Sequence, residues 1–292
     1  MNLEKQNKSK EISIGLRAKG LWQLLRPVNV LIGALSIGLG AVVTGTLSPL
    51  RNVLLACLSG GVITGAANAI NDYFDIEIDR INKPTRPLPA QIVTPSGALT
   101  WSVFLFGLGI ALSLLINGAA LGIAATASFL LFLYSWRFKR LPLVGNATVS
   151  LVSGLAFVYG GVAVGRFGAS LVPAAFAFLF HFGREVLKDI EDISGDRANA
   201  ARTFPICCGV NAARILISSV FVLLIGVTAL PYFLNIYNKF YFALVVTGVD
   251  AYLLYVIWAI WKSTEPRHLH KLSTGLKLDM LVGLLSIWIG IH

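Results

Sequence analysis

The chain has 292 residues, 56% of them hydrophobic and only 13% charged, with a mean hydropathy of +0.75. Soluble domains carry nearer a quarter charged residues, so this balance excludes an ordinary water-soluble fold and points to several membrane spans. The formal net charge of +10 calls for no nucleic acid, and the odd set Cys57, Cys207 and Cys208 has neither disulfide nor zinc-ligand spacing.

In chain order, residues 1–20 form a Lys-rich polar tail without a cleavable apolar leader. The rest, 21–292, reads as a single all-α domain of nine transmembrane helices around a central cavity. The predicted spans are 22–47, 52–78, 96–116, 118–136, 144–165, 170–188, 211–235, 239–262 and 273–291. Only Asn117-Gly118 separates the third from the fourth, so one long helix there is the main rival reading. With the N-terminus inside, all of the 24 Lys and Arg except Arg51, Arg166 and Lys239 fall on one side. By the positive-inside rule that side is cytoplasmic.

The second span ends in Asn68-Ala-Ile-Asn-Asp-Tyr-Phe-Asp-Ile-Glu-Ile-Asp79. At about 100° per residue, one continuous helix would gather Asn68, Asp72, Asp75 and Asp79 within about 60°, with Asn71 beside them. Carboxylates so close repel, and a divalent metal among them is the natural remedy. Asp189, Asp192 and Asp196 repeat the Asp-x-x-Asp-x-x-x-Asp spacing at the end of the sixth span, with Glu185 on the same face. Either cluster alone reads equally well as solvated acids at a helix end. Two of them at one membrane face point to a site for a substrate diphosphate held through Mg²⁺.

Lys83 and Arg86 follow the first cluster, and Arg137, Lys139 and Arg140 follow the fourth span. Singly they read as membrane anchors; together they could neutralise a diphosphate. Arg26, before Pro27, either snorkels to headgroups or contacts an anionic substrate. Tyr134 is either an interfacial aromatic or a ring facing the site, where it could steady a cation. Asn146 reads as a capping or packing residue, and His181, His268, His270 and His292 form no ligand set.

The Asn-Asp-x-x-Asp-x-x-x-Asp stretch at 71–79, Arg-Pro-Leu-Pro at 86–89, Tyr134-Ser with Lys139, and the acids at 189–196 resemble the UbiA superfamily of intramembrane prenyltransferases. The resemblance covers nearly the whole chain after the tail and implies nine helices. It implies that Asn68, Asp72, Asp75 and Asp79 face Asp189, Asp192 and Asp196 across the cavity and bind Mg²⁺ with the donor's diphosphate. Asn71, Lys83, Arg86, Lys139 and Arg26 are then substrate-binding, and Asp72, Asp75, Asp192 and Tyr134 catalytic. Asp79 or Asp192 is a candidate proton acceptor.

The wording at 184–196 is most similar to the branch that makes the second ether link of archaeal-type lipids. The expected reaction is transfer from geranylgeranyl diphosphate to the free hydroxyl of geranylgeranylglyceryl phosphate. The partners are an isoprenyl diphosphate, a lipid-like phosphate acceptor and membrane lipid, with no obligate protein partner. An aromatic, quinone-precursor or chlorin acceptor is the alternative. A transporter is the alternative outside the enzyme class, but the acids sit at one face, and the outer halves of the spans offer nothing to match them.

Overall fold

The computed structural model describes residues 14–198 and 200–292. The first part of the basic tail, including Lys5, Lys8 and Lys10, lies outside the described residues, and its end already belongs to a helix. The described chain is all-helical: α1 (Ile14–Leu24), α2 (Pro27–Val42), α3 (Leu50–Phe74), α4 (Ile76–Asn82), α5 (Pro95–Leu114), α6 (Gly118–Trp136) and α7 (Val144–Ala163). There follow α8 (Leu171–Glu191), α9 (Ile193–Ala198), α10 (Phe204–Cys208), α11 (Val210–Phe233), α12 (Lys239–Leu244), α13 (Ala251–Lys262) and α14 (Pro266–Gly290). A 3-10 turn, Phe138–Arg140, joins α6 to α7, and a π-helical segment, Val245–Asp250, joins α12 to α13.

Among the described residues seven helices are long and apolar enough to cross a membrane, or eight if α1 and α2, bent by 45°, count as one span. The one expected span missing from that set is the sixth, α8. It is 21 residues long, but Arg184, Glu185, Lys188, Asp189 and Glu191 crowd its last two turns and keep it outside that set.

The weak break between α5 and α6 is real. Asn117 caps α6 by accepting from the Ala120 N–H at 2.8 Å, while its own amide donates to the Val162 carbonyl at 3.1 Å. The break before α2 is enforced by Pro27, which pushes the preceding residue out of the helical region. Arg26 itself sits left-handed at φ 51°, ψ 72°.

Neither acid motif lies on one continuous helix, which corrects the single-stripe expectation. The first breaks at Asp75 (φ −98°, ψ 6°) and the second at Asp192 (φ −96°, ψ 5°), the middle acid in each case. Each middle acid still donates its N–H back four residues, Asp75 to the Asn71 carbonyl at 3.0 Å and Asp192 to that of Lys188 at 2.9 Å. Each then accepts from the next acid, with Asp79 donating at 2.8 Å and Asp196 at 2.9 Å. Both motifs are thus a long helix, a bend at the middle carboxylate and a short helix.

One apolar core unites α8, α11, α13 and α14 with Phe157 of α7. A second joins α2, α3, α6 and α7 through Ile37, Ile63, Ala124 and Tyr159. Between α2 and α7 the backbones touch: a Cβ on Gly160 would stand 1.8 Å from the Ile37 carbonyl oxygen, and one on Gly40 2.1 Å from that of Phe157. Only glycine permits so close an approach.

Candidate active site

The helices surround a cavity of about 890 Å³ whose walls come from both motifs, α2, α6, α7 and α14. Of the residues singled out in the sequence, Arg26, Asn68, Asn71, Asp75, Asp79, Lys83, Arg86, Tyr134, Lys139, Asp189, Asp192 and Asp196 all line it. Asp72 does not. It is buried behind the wall, and its Oδ1 accepts from Arg26 and, at 3.1 Å, from Arg86. Arg86 also donates to Asp79 Oδ2 at 2.6 Å.

Burial of Asp72 and Asp79 is tolerable because each charge is matched by a guanidinium. Further along the first motif, Lys139 Nζ donates to Asp75 Oδ1 at 2.5 Å and to Asn71 Oδ1 at 3.1 Å. The Asn71 amide donates to Asp75 Oδ2 at 3.0 Å. Burial lowers the Lys139 ammonium from its ordinary range, against the opposing pull of Asp75. Asn68 uses its amide nitrogen to fix the α1–α2 bend, donating to the Leu25 carbonyl at 2.8 Å.

The second motif is differently supplied. Asp189, Asp192 and Asp196 make no ion pair among the described residues. Asp189 Oδ2 accepts from the buried Asn146 amide at 2.9 Å, so Asn146 has a positioning role that capping did not foresee. The Asp196 carboxyl is pushed up to about 6, mainly by burial and then by the charge of Asp192, with Asp75 across the cavity adding to it. A backbone hydrogen bond also joins the segment after the second motif to the turn that carries Lys139. The Arg202 N–H, after α9, donates to the Arg140 carbonyl at 2.9 Å, beside Lys139. Tyr134 lines the same cavity as residues of both motifs.

The first motif is therefore ion-paired with Arg26, Arg86 and Lys139, whereas Asp189, Asp192 and Asp196 form no ion pair among the described residues. Among the described residues no three of His, Cys, Asp and Glu converge to hold a metal ion. The seven expected ligands are not a preformed cage. Hard carboxylate oxygens spread over two walls do fit Mg²⁺, which binds through one or two carboxylates and completes its shell with water and phosphate oxygens.

The sequence reading missed two groups. Arg184 and Lys277 line the cavity, although the sequence reading counts both only among the charges of the cytoplasmic side. A lysine four residues into a predicted span was the available signal. Asp250 and Asp279, which the sequence reading did not single out, are buried at mid-helix. Asp250 accepts from the Thr228 hydroxyl at 3.1 Å, inside the helix packing.

Fold and cavity together define an all-helical membrane protein with a charge-lined internal chamber. The chain belongs to the UbiA prenyltransferase family, whose model matches residues 30–280; it is an enzyme of that class. It is 40% identical to digeranylgeranylglyceryl phosphate synthase of Natronomonas pharaonis over 94% of this chain and 97% of that one. It is 35% identical to the synthase of the same name from Methanothermobacter thermautotrophicus, over 89% and 92%. A solved digeranylgeranylglyceryl phosphate synthase structure superposes with TM-score 0.76 at 31% identity, covering 94% of this chain and 98% of that one. A UbiA homolog from Archaeoglobus fulgidus, solved bound to DMAPP and Mg²⁺, has the same fold at TM-score 0.64 and 19% identity, with 92% and 99% covered.

Proposed function

We propose that the protein transfers a geranylgeranyl group from geranylgeranyl diphosphate to the free hydroxyl of geranylgeranylglyceryl phosphate, with Mg²⁺, forming a membrane-lipid ether and releasing diphosphate. The observation that carries this reading is the pair of acid motifs, one cation-matched and one not, on opposing walls of a single chamber. The similarity to synthases of that name along nearly the full chain supports the acceptor.

Asn68, Asp75, Asp79, Asp189, Asp192 and Asp196 would hold Mg²⁺ with the diphosphate, and Asp72 would act from behind by fixing Arg26 and Arg86. Mg²⁺ supplies charge stabilisation to the departing diphosphate. Arg86, Lys139, Asn71 and, at the mouth, Lys83 bind the same group, so negative charge develops against preorganised donors. The bond between the allylic C1 and the diphosphate oxygen breaks, and the positive charge spreads over the allyl unit. Tyr134 presents a ring beside it. The acceptor hydroxyl then forms the new C1–O bond. Its proton passes to a carboxylate, for which Asp192 is better placed than Asp79, because Asp79 is held by Arg86.

The tails stay in lipid, since each CH₂ withdrawn into water costs about 0.8 kcal/mol. We infer nine spans, with α8 and the bent α1–α2 pair included, and the chamber mouth and N-terminus on the cytoplasmic side. The basic residues on that side support this orientation. The test is purified protein with labelled geranylgeranyl diphosphate and an acceptor panel. Alkylation of geranylgeranylglyceryl phosphate with Mg²⁺-dependent diphosphate release is expected; alkylation of an aromatic acceptor alone would sink the reading.

A further inference from the structure

The chamber carries a second group of cations that the acid motifs do not use. Lys277 on α14 donates to Asn29 Oδ1 at 2.5 Å and makes no ion pair among the described residues. One turn earlier on the same helix, the Ser273 carbonyl accepts from Arg184 Nε at 3.3 Å. Arg184 and Lys188 share a single acid: Glu185 accepts from Arg184 at 3.1 Å and from Lys188 at 2.9 Å. Arg184, Arg26, Lys188 and Lys277 all line the same cavity. Arg26 is already matched by Asp72.

Three cations share one ion-paired carboxylate on this half-buried wall, which leaves charge available for an incoming anion. This wall belongs to α8 and α14, whereas Arg86 and Lys139 serve the first motif. A carboxylate needs one guanidinium, but a phosphate monoester carries nearly two charges and three acceptor oxygens. The neutral Asn29 amide gives up an ammonium readily to such a partner.

We propose that Lys277, with Arg184 and Lys188, forms a second anion subsite that takes the phosphate monoester of the acceptor lipid. The subsite rests on the reading of function above. It divides the chamber between a donor diphosphate at the motifs and an acceptor phosphate against α8 and α14, with the reacting hydroxyl between them.

The test compares geranylgeranylglyceryl phosphate with its dephosphorylated counterpart as acceptors, for the wild type and Lys277→Ala. In the variant, the KM for the phosphorylated acceptor should rise about tenfold to a hundredfold, as for loss of one partner of a charge pair, while the donor KM moves far less. The dephosphorylated acceptor should be used poorly and to the same extent by both proteins, and Lys277→Arg should recover most of the loss. Equal losses on both acceptors, or a donor KM that rises as much, overturns the subsite.

A direct arm separates this from failure of the functional reading. Glycerol phosphate should raise the thermal midpoint of the wild type and of Arg86→Ala, but not of Lys277→Ala. If the wild type alkylates no glyceryl phosphate lipid, yet that pattern appears, the subsite stands and the acceptor assignment falls. If glycerol phosphate stabilises none of the three, the subsite falls.

Discussion

Asp192 and Asp72 have the same side chain and opposite circumstances. Asp192 is exposed to the chamber without a counterion, whereas Asp72 is sealed behind two guanidinium groups. Asp192→Ala should lower kcat by roughly a hundredfold or more, through lost metal binding and lost proton acceptance, with little change in stability. Asp72→Ala should also abolish turnover, but by releasing Arg26 and Arg86, and it should cost stability as well, on the order of 3 kcal/mol for a broken buried pair. Chemical denaturation of the two variants in detergent separates these origins; equal stability would contradict them. Arg86→Ala should raise the donor KM more than the acceptor KM, and steady-state kinetics in both substrates would expose the reverse. The Asp spacings made both clusters legible in the sequence. What they could not reveal was which acids are paired, because pairing depends on Arg26, Arg86 and Lys139 arriving from distant segments.

Among elements, the long helices were legible from apolar runs of spanning length, and α6 was read at its observed limits. Breaks were less legible. Asp75 and Asp192 interrupt helices without any proline or glycine, so no punctuation in the sequence announced them. The π segment at Val245–Asp250 did carry Thr247, Gly248 and Asp250, but a span read from its mean hydropathy passed over them. The contact of α2 with α7 rests on Gly40 and Gly160, which read only as ordinary small residues in spans. Gly160→Val should force the two helices apart, at about 1–3 kcal/mol or more for an overpacked contact with backbone on the far side. A lower thermal midpoint in detergent would be the sign; an unchanged one would show that the helices slide apart freely.

At the scale of the molecule, the thiols report the orientation proposed above. Cys207 and Cys208 are free and exposed in α10, near the chamber mouth, and Cys57 is partly covered within α3. A membrane-impermeant maleimide should label Cys207 and Cys208 in inverted vesicles and leave them unlabelled in sealed right-side-out ones. Labelling from the outer side alone would reverse the topology. Chelation with EDTA should stop diphosphate release, and Mg²⁺ should restore it; full activity in the chelator would remove the metal from the reaction.

The reciprocity between the halves runs deeper than the acids. Gly40 meets the backbone of α7 as Gly160 meets that of α2, and each half then proceeds to a helix bent at its middle carboxylate. Because α2 packs on α3 and α7 on α8, this glycine crossing is the joint through which both acid-bearing helices are held together.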